Sequence, residues 1–347
     1  MRAPRARRIL RVLALAIAAA VACADFLSPH HPAAQDLERF FAPPSKIHFF
    51  DGRGAFHWRP FIYGRELSDP VDVVYRERGG ATYPVRFLVQ GYGYRFLGIF
   101  PATLHLAGTE GEPLHPLGTD ELGRDILARI LSGARTSLLV VCLGIAIYAA
   151  AGLVLGSAAG MAGGWADAAL MRFSEFMLTI PSLYLILALR ALLPLKLGFW
   201  ETLLLTCGTI AAVTWPPLAR GVRGLILQLR STGYVEAARA LGCTRSQVLR
   251  YHMLPAVSSF AVAQATVAAP VFLLGEVVLS FLDVGFSDSG DSWGAMLRNI
   301  RDPRVLTDFW WNLAPLGCVF ATLLCLNLAG AGRQDTQRAM PFARRQS

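Results

Sequence analysis

The sequence predicts an all-α transmembrane protein with six membrane-spanning helices and one long insert outside the membrane. Three observations carry this expectation: a shortage of charge, long uncharged apolar runs, and arginines gathered between those runs. Only 16% of the 347 residues are Asp, Glu, Lys or Arg, where a soluble domain carries about 25%. Thr136 to Ala166 and Phe309 to Gly332 contain none of the four. A hydrocarbon layer about 30 Å thick is crossed by roughly 20 residues rising about 1.5 Å each, so both runs are long enough. Neither shows the polar stripe of a soluble amphipathic helix. The net charge of +9 would suggest nucleic acid or anionic surfaces in a soluble chain. Here the arginines follow the positive-inside rule instead, and no nucleic-acid partner is expected.

The elements follow in order. Residues 1–8 form a basic N-terminus with Arg2, Arg5, Arg7 and Arg8, expected on the cytoplasmic side. The first span is Ile9 to Leu27. A rival reading is a signal peptide cleaved at Ala22-Cys23-Ala24, which would leave five spans. Residues 28–135 form an external segment, since long segments cross regardless of charge. Gly52 to Gly54 and Gly79-Gly80 mark turns in it. Val71 to Tyr75 and Tyr83 to Val89 read as short strands. A small external cap and a mostly irregular insert both remain open. The membrane core, 136–331, holds spans at about 136–160, 171–193, 201–219, 257–282 and 309–331. A short loop, Gly163 to Ala169, separates the second and third spans. The loop at 220–256 carries Arg220, Arg223, Arg230, Arg239, Arg245 and Arg250 against one acid, Glu236, and belongs in the cytoplasm. So does the tail, 332–347, and an even span count places both termini there. The six cysteines include no CxxC pair, so neither a disulfide framework nor a zinc site is expected.

The cytoplasmic loop is the most informative segment. Val235 to Leu241 is good helix sequence, and Gly242 suits a C-terminal cap. Ala237, Ala238 and Ala240 would let another surface approach the backbone. Thr244 and Gln247 form a capping box for a second short helix, and Pro255 marks entry to the next span. The loop is therefore a helical hairpin at the membrane surface. Its Glu236-Ala237-Ala238, followed by Gly242 and by His252-Met253-Leu254-Pro255, resembles the EAA loop of bacterial ABC importer permeases. That resemblance implies a coupling helix seated in a groove of an ATPase subunit. It assigns docking to Glu236, Ala237, Ala238 and Gly242.

Other segments are similar to the same family. Leu117 to Asp125 resembles the G-T-D-x-x-G-R-D signature of dipeptide and oligopeptide permeases, the DppC/OppC type, on Gly118, Thr119, Asp120, Gly123, Arg124 and Asp125. Physically, the two glycines allow tight turns, and Asp120, Arg124 and Asp125 can cross-pair. This favours a structural knot over a ligand site. Gly163 to Asp167, Ile180 to Leu183, Glu276 to Phe281 and Ser292 to Leu297 fit the same pattern. Asp283, Ala256 and Gly330-Ala331-Gly332 depart from it, and the long segment before Leu117 is unusual for it. The likeness covers Leu117 to the end.

The resemblance implies a type I importer permease in the bacterial inner membrane. It implies a homologous permease partner, two ATPase subunits that hold ATP and Mg, and a periplasmic or lipid-anchored binding protein. Short peptides lead as substrate, with nickel or another small solute behind. No G-x-x-x-x-G-K-[ST] occurs, so no P-loop, catalytic residue or cofactor is expected in this chain itself. His30-His31 is only a weak metal cue, and no metal site is expected. Two charges fall within spans. Glu276 either pairs with a cation across a subunit interface or lines the path, and Arg190 reaches the interface by snorkelling. Pro181, Pro216, Pro217 and Pro270 are sites for kinks. A membrane-anchored enzyme would need a polar catalytic pair, and Glu276 and Arg190 fall on different spans. A scaffold or exporter that binds an ATPase is a further alternative, against which the EAA-type loop argues.

Overall fold

In a computed structural model, residues 19–96, 99–194, 197–286 and 290–343 are described, with side chains through residue 330. The chain divides into two compact units. One is built on Leu138–Leu279 with Thr322 onward, the other on Arg11–Ser137 with Ser280–Ala321.

The helices are α1 (Ile126–Ala162), α2 (Gly164–Thr179), α3 (Ser182–Ala191), α4 (Phe199–Thr214), α5 (Pro216–Arg230), α6 (Gly233–Ala240), α7 (Leu254–Phe281) and α8 (Ala314–Ala343). Among the described residues, three helical stretches are long and apolar enough to cross a membrane: α1, Arg245–Phe281 and Trp310–Gly330. The count rises to five if each of two bent pairs is one span: α2 with α3, bent by 95°, and α4 with α5, bent by 53°. The expected first span, Ile9 to Leu27, falls largely outside the described residues.

Proline chemistry explains both bends. Pro181 and Pro216 have no N–H to give a helix, and their rings crowd the carbonyl four residues back. Pro270 lies inside α7, which continues through it. The expected span at 136–160 starts ten residues earlier than its charge pattern suggests. Asp125 caps α1, its Oδ2 accepting the Ala128 N–H at 2.8 Å, and so carries Arg129 and Arg135 into the helix. The expected loop at 163–169 is helix, because α2 begins at Gly164. The expected loop at 220–256 likewise starts as helix, since α5 runs to Arg230.

In the first unit a glycine stripe on α1 holds α5 at close range. A Cβ on Gly152 would lie 2.4 Å from Leu218, and one on Gly156 2.5 Å from the Ala219 carbonyl oxygen. A Cβ on Gly160 would lie 2.8 Å from Ile226. This is the small-xxx-small seam by which helices approach in lipid, where packing replaces the hydrophobic effect. Arg223 on α5 forks onto Asp167 on α2, with Nη2 to Oδ2 at 2.6 Å. Arg230 donates to the Gly160 carbonyl at 3.1 Å.

The second unit contains the insert, which is built of strands, as the sequence led one to expect in outline. Strands β1 (His48–Phe50), β2 (Phe56–Asp69) and β3 (Val74–Pro84) form an antiparallel sheet, and β4 (Arg86–Phe96) pairs antiparallel with β5 (Phe100–Gly108). Ile62, Val85 and Leu114 make a small core. The strands are longer and differently placed than expected. Asp69 Oδ1 accepts the Val71 N–H at 2.9 Å, and this Asx turn takes Val71 out of the ladder. His30 packs its ring on His115 at 4.7 Å and donates Nε2–H to the Leu114 carbonyl at 3.0 Å. Burial, and secondarily His115, lowers the His30 pKa.

Candidate functional site: an exposed helix and a buried knot

Helix α6 begins after Thr232 and ends at Gly242, whose φ of +86° favours a residue without a Cβ. One face is anchored: Val235 and Ala238, three residues apart, are both buried. The opposite face presents Glu236 and Ala237. Tyr234 and Leu241 are exposed as well, by 49% and 85%. Of the four expected docking residues, Glu236, Ala237 and Gly242 are exposed and Ala238 is not. Burial decides the correction: Ala238, one turn after Val235, packs inward with it, while the residues on either side of each stay exposed. Glu236 makes no ion pair among the described residues, near the positive end of its own helix dipole.

The second arm of the hairpin begins with the expected capping box. Gln247 N–H reaches Thr244 Oγ1 at 3.3 Å, and Thr244 N–H reaches Gln247 Oε1 at 2.8 Å. The next residues, Val248–Met253, form a π-helical turn that runs into α7. Leu254 N–H donates five residues back, to the Leu249 carbonyl. The wider turn relieves the clash that Pro255 would make with the Tyr251 carbonyl. Val248 and Met253 are fully buried, so this arm too is held from within.

The Leu117–Asp125 segment is the opposite case. Asp120 Oδ1 accepts the N–H groups of Leu122 and Arg124, both at 2.9 Å. Its Oδ2 accepts Arg124 Nε at 2.8 Å and also Arg129 Nη1. Arg129 Nε reaches Asp291 at 2.8 Å. Asp125 does not pair with Arg124: its Oδ1 meets His115 Nδ1 at 3.0 Å while Oδ2 caps α1. Thr119 Oγ1 accepts the Ala42 N–H at 2.7 Å, and the Thr119 carbonyl accepts Trp311 Nε1–H at 3.1 Å. Thr119, Asp120, Asp125 and Arg129 are all buried. Gly118 and Gly123 have φ of +77° and +70°, and a Cβ on Gly123 would lie 1.8 Å from the Asp36 carbonyl oxygen. The buried Thr119, Asp120, Asp125 and Arg129 each have protein partners, so the segment is built as a scaffold.

The two intramembrane charges are also inside the protein. Glu276 is fully buried on α7, within electrostatic reach of Cys207. Arg190 does not snorkel. It is fully buried and donates Nη1–H to the Pro194 carbonyl at 2.8 Å, closing the end of α3. Among the described residues, no group of three or more His, Cys, Asp or Glu is placed to hold a metal.

Comparison with known proteins fits this geometry. Residues 152–331 match the family described as binding-protein-dependent transport system inner membrane component. A protein of Brucella suis biovar 1, whose name places it among peptide permeases, is 35% identical over 64% of this chain and 72% of its own length. The oligopeptide transport system permease protein OppC of Haemophilus influenzae is 34% identical over 65% of this chain and 70% of its own. The dipeptide transport system permease protein DppC of Bacillus subtilis is 34% identical over 64% and 67%. The matched family region contains α6 and both bent helix pairs. This chain is therefore a membrane-embedded permease that belongs to the binding-protein-dependent transport system inner membrane component family.

Proposed function

We propose that this permease forms half of the pathway of an ATP-driven importer of short peptides, and that α6 is the surface docked by the ATPase. The observation that carries the docking role is the division of α6. Val235 and Ala238 fix it to the chain, while Glu236, Ala237 and Leu241 are exposed. An unpaired carboxylate flanked by exposed apolar groups suits a partner groove with a basic rim. The names of the relatives support peptides as cargo.

In this reading a homologous permease completes the pathway, and two ATPase subunits carry ATP and Mg. A periplasmic or lipid-anchored binding protein delivers the substrate. The chain lies in the bacterial inner membrane with both termini and the 220–256 loop in the cytoplasm, and with 28–135 outside. ATPase closure pushes α6, and α5 follows two residues before it in the chain. Because α5 is seated on the α1 glycine stripe and forked to Asp167, the push moves these helices as one body. Tagged protein extracted in mild detergent from native membranes tests the assembly. A second permease, ATPases and a binding protein should co-purify. A chain that purifies alone and stably would overturn the importer reading.

A further inference from the structure

Both bent helix pairs break beside one cavity. It measures about 390 Å³ and lies wholly within the first unit, inside the range of about 300–1,000 Å³ typical of small-molecule sites. Ser182 lines it from the α2–α3 break, Thr214 from the α4–α5 break, Tyr148 from α1 and Gln264 from α7. Breaks at membrane depth free backbone carbonyls, and such irregular backbone persists where it lines a cavity.

The chemistry of the lining narrows the occupant. No lining residue is charged, and none is a carboxylate, imidazole or thiol. A charged ligand group would find no counter-ion there, so the cavity suits the uncharged middle of a ligand and not its charged ends, and a transition metal would find no strong ligand set. The polar groups are three hydroxyls and the Gln264 carboxamide. The Thr214 hydroxyl donates to the Ile210 carbonyl at 2.8 Å, which spends its proton. The Gln264 carboxamide makes no hydrogen bond to the protein among the described residues. It offers an acceptor oxygen beside two donor hydrogens, the complement of a peptide bond's N–H and C=O.

We propose that Gln264 is a specificity-determining residue that reads a peptide-bond amide of the passing substrate in this cavity, an inference that rests on the peptide reading above. The lining then favours a peptide backbone and is indifferent to a metal ion.

The test uses the complete reconstituted complex and two probes, tri-alanine and tri-alanine N-methylated at the amide nitrogen of its middle residue. The ratio of their maximal uptake rates is compared between the native complex and Gln264→Met. The same binding protein serves both complexes, so its own preference cancels. The ratio should fall about fivefold, the worth of one hydrogen bond, through slower uptake of the parent peptide. Should Gln264→Met fail to assemble, Gln264→Asn withdraws the carboxamide by one methylene, and the ratio should fall in the same direction. A ratio unchanged in the variant, whether both rates persist or fall together, overturns the inference and leaves the peptide reading intact. A native complex that imports neither probe overturns the peptide reading and this inference with it.

Discussion

Leu117–Asp125 and Tyr234–Pro255 are equally distinctive in sequence and opposite in structure. In the first, Asp120 accepts from four donors and is almost fully buried. In the second, Glu236 is exposed and makes no ion pair among the described residues. A satisfied, buried charge holds a shape, and removing its partner leaves an uncompensated ion. An unsatisfied, exposed charge contributes little to stability and is available to a second molecule. The two motifs therefore differ in burial and pairing: the first is built as a scaffold, and the second leaves free the carboxylate to which docking is proposed above.

That contrast is sharpened or broken by substitution. The largest expected effect is that of Asp120→Ala, which strips Arg129 of one buried carboxylate. It should cost about 3–5 kcal/mol and lower the melting temperature of the purified protein in detergent sharply. Unchanged melting would mean that the buried motif is not a scaffold. Next comes Gly156→Val, whose added atoms meet the Ala219 carbonyl oxygen in the seam. Overpacking of about 1–3 kcal/mol is expected, read in the same melt.

A smaller effect should follow pH in the insert. The folded pKa of His30 lies below its ordinary value of 6.5. The unfolded segment therefore binds more protons between the two values, and stability rises with pH through that window. The contribution is full above about 6.5 and is lost as pH falls through the folded value. The protection factors of β4 and β5, which are exchange rates corrected for the pH dependence of intrinsic exchange, should fall below about pH 6.5 in native protein and less so in His30→Phe. The smallest stability effect belongs to Glu236→Lys, expected within about 0.5 kcal/mol because the side chain is exposed and unpaired.

The sequence already displayed the apolar runs, the capping box at Thr244 and Gln247, and the hairpin ended by Gly242. It did not display where α1 starts, because Arg129 and Arg135 read as loop charges until their partners Asp120, Asp291 and Asp25 are seen. Pairing across distant positions has no local signature. Ala238 was placed on the docking face by its motif, although the folded chain buries it with Val235. The Gly152, Gly156 and Gly160 stripe was legible at four-residue spacing, but its partner α5 was not. Long strands in the insert escaped because Asx turns and glycines break their alternation.

The proposed coupling of this permease to an ATPase through α6 is decided by substrate-driven ATP hydrolysis in the reconstituted complex carrying Glu236→Lys. Loss of substrate stimulation is expected, with the permease inserted and melting at the native temperature. Native stimulation in that variant would contradict the docking role of Glu236.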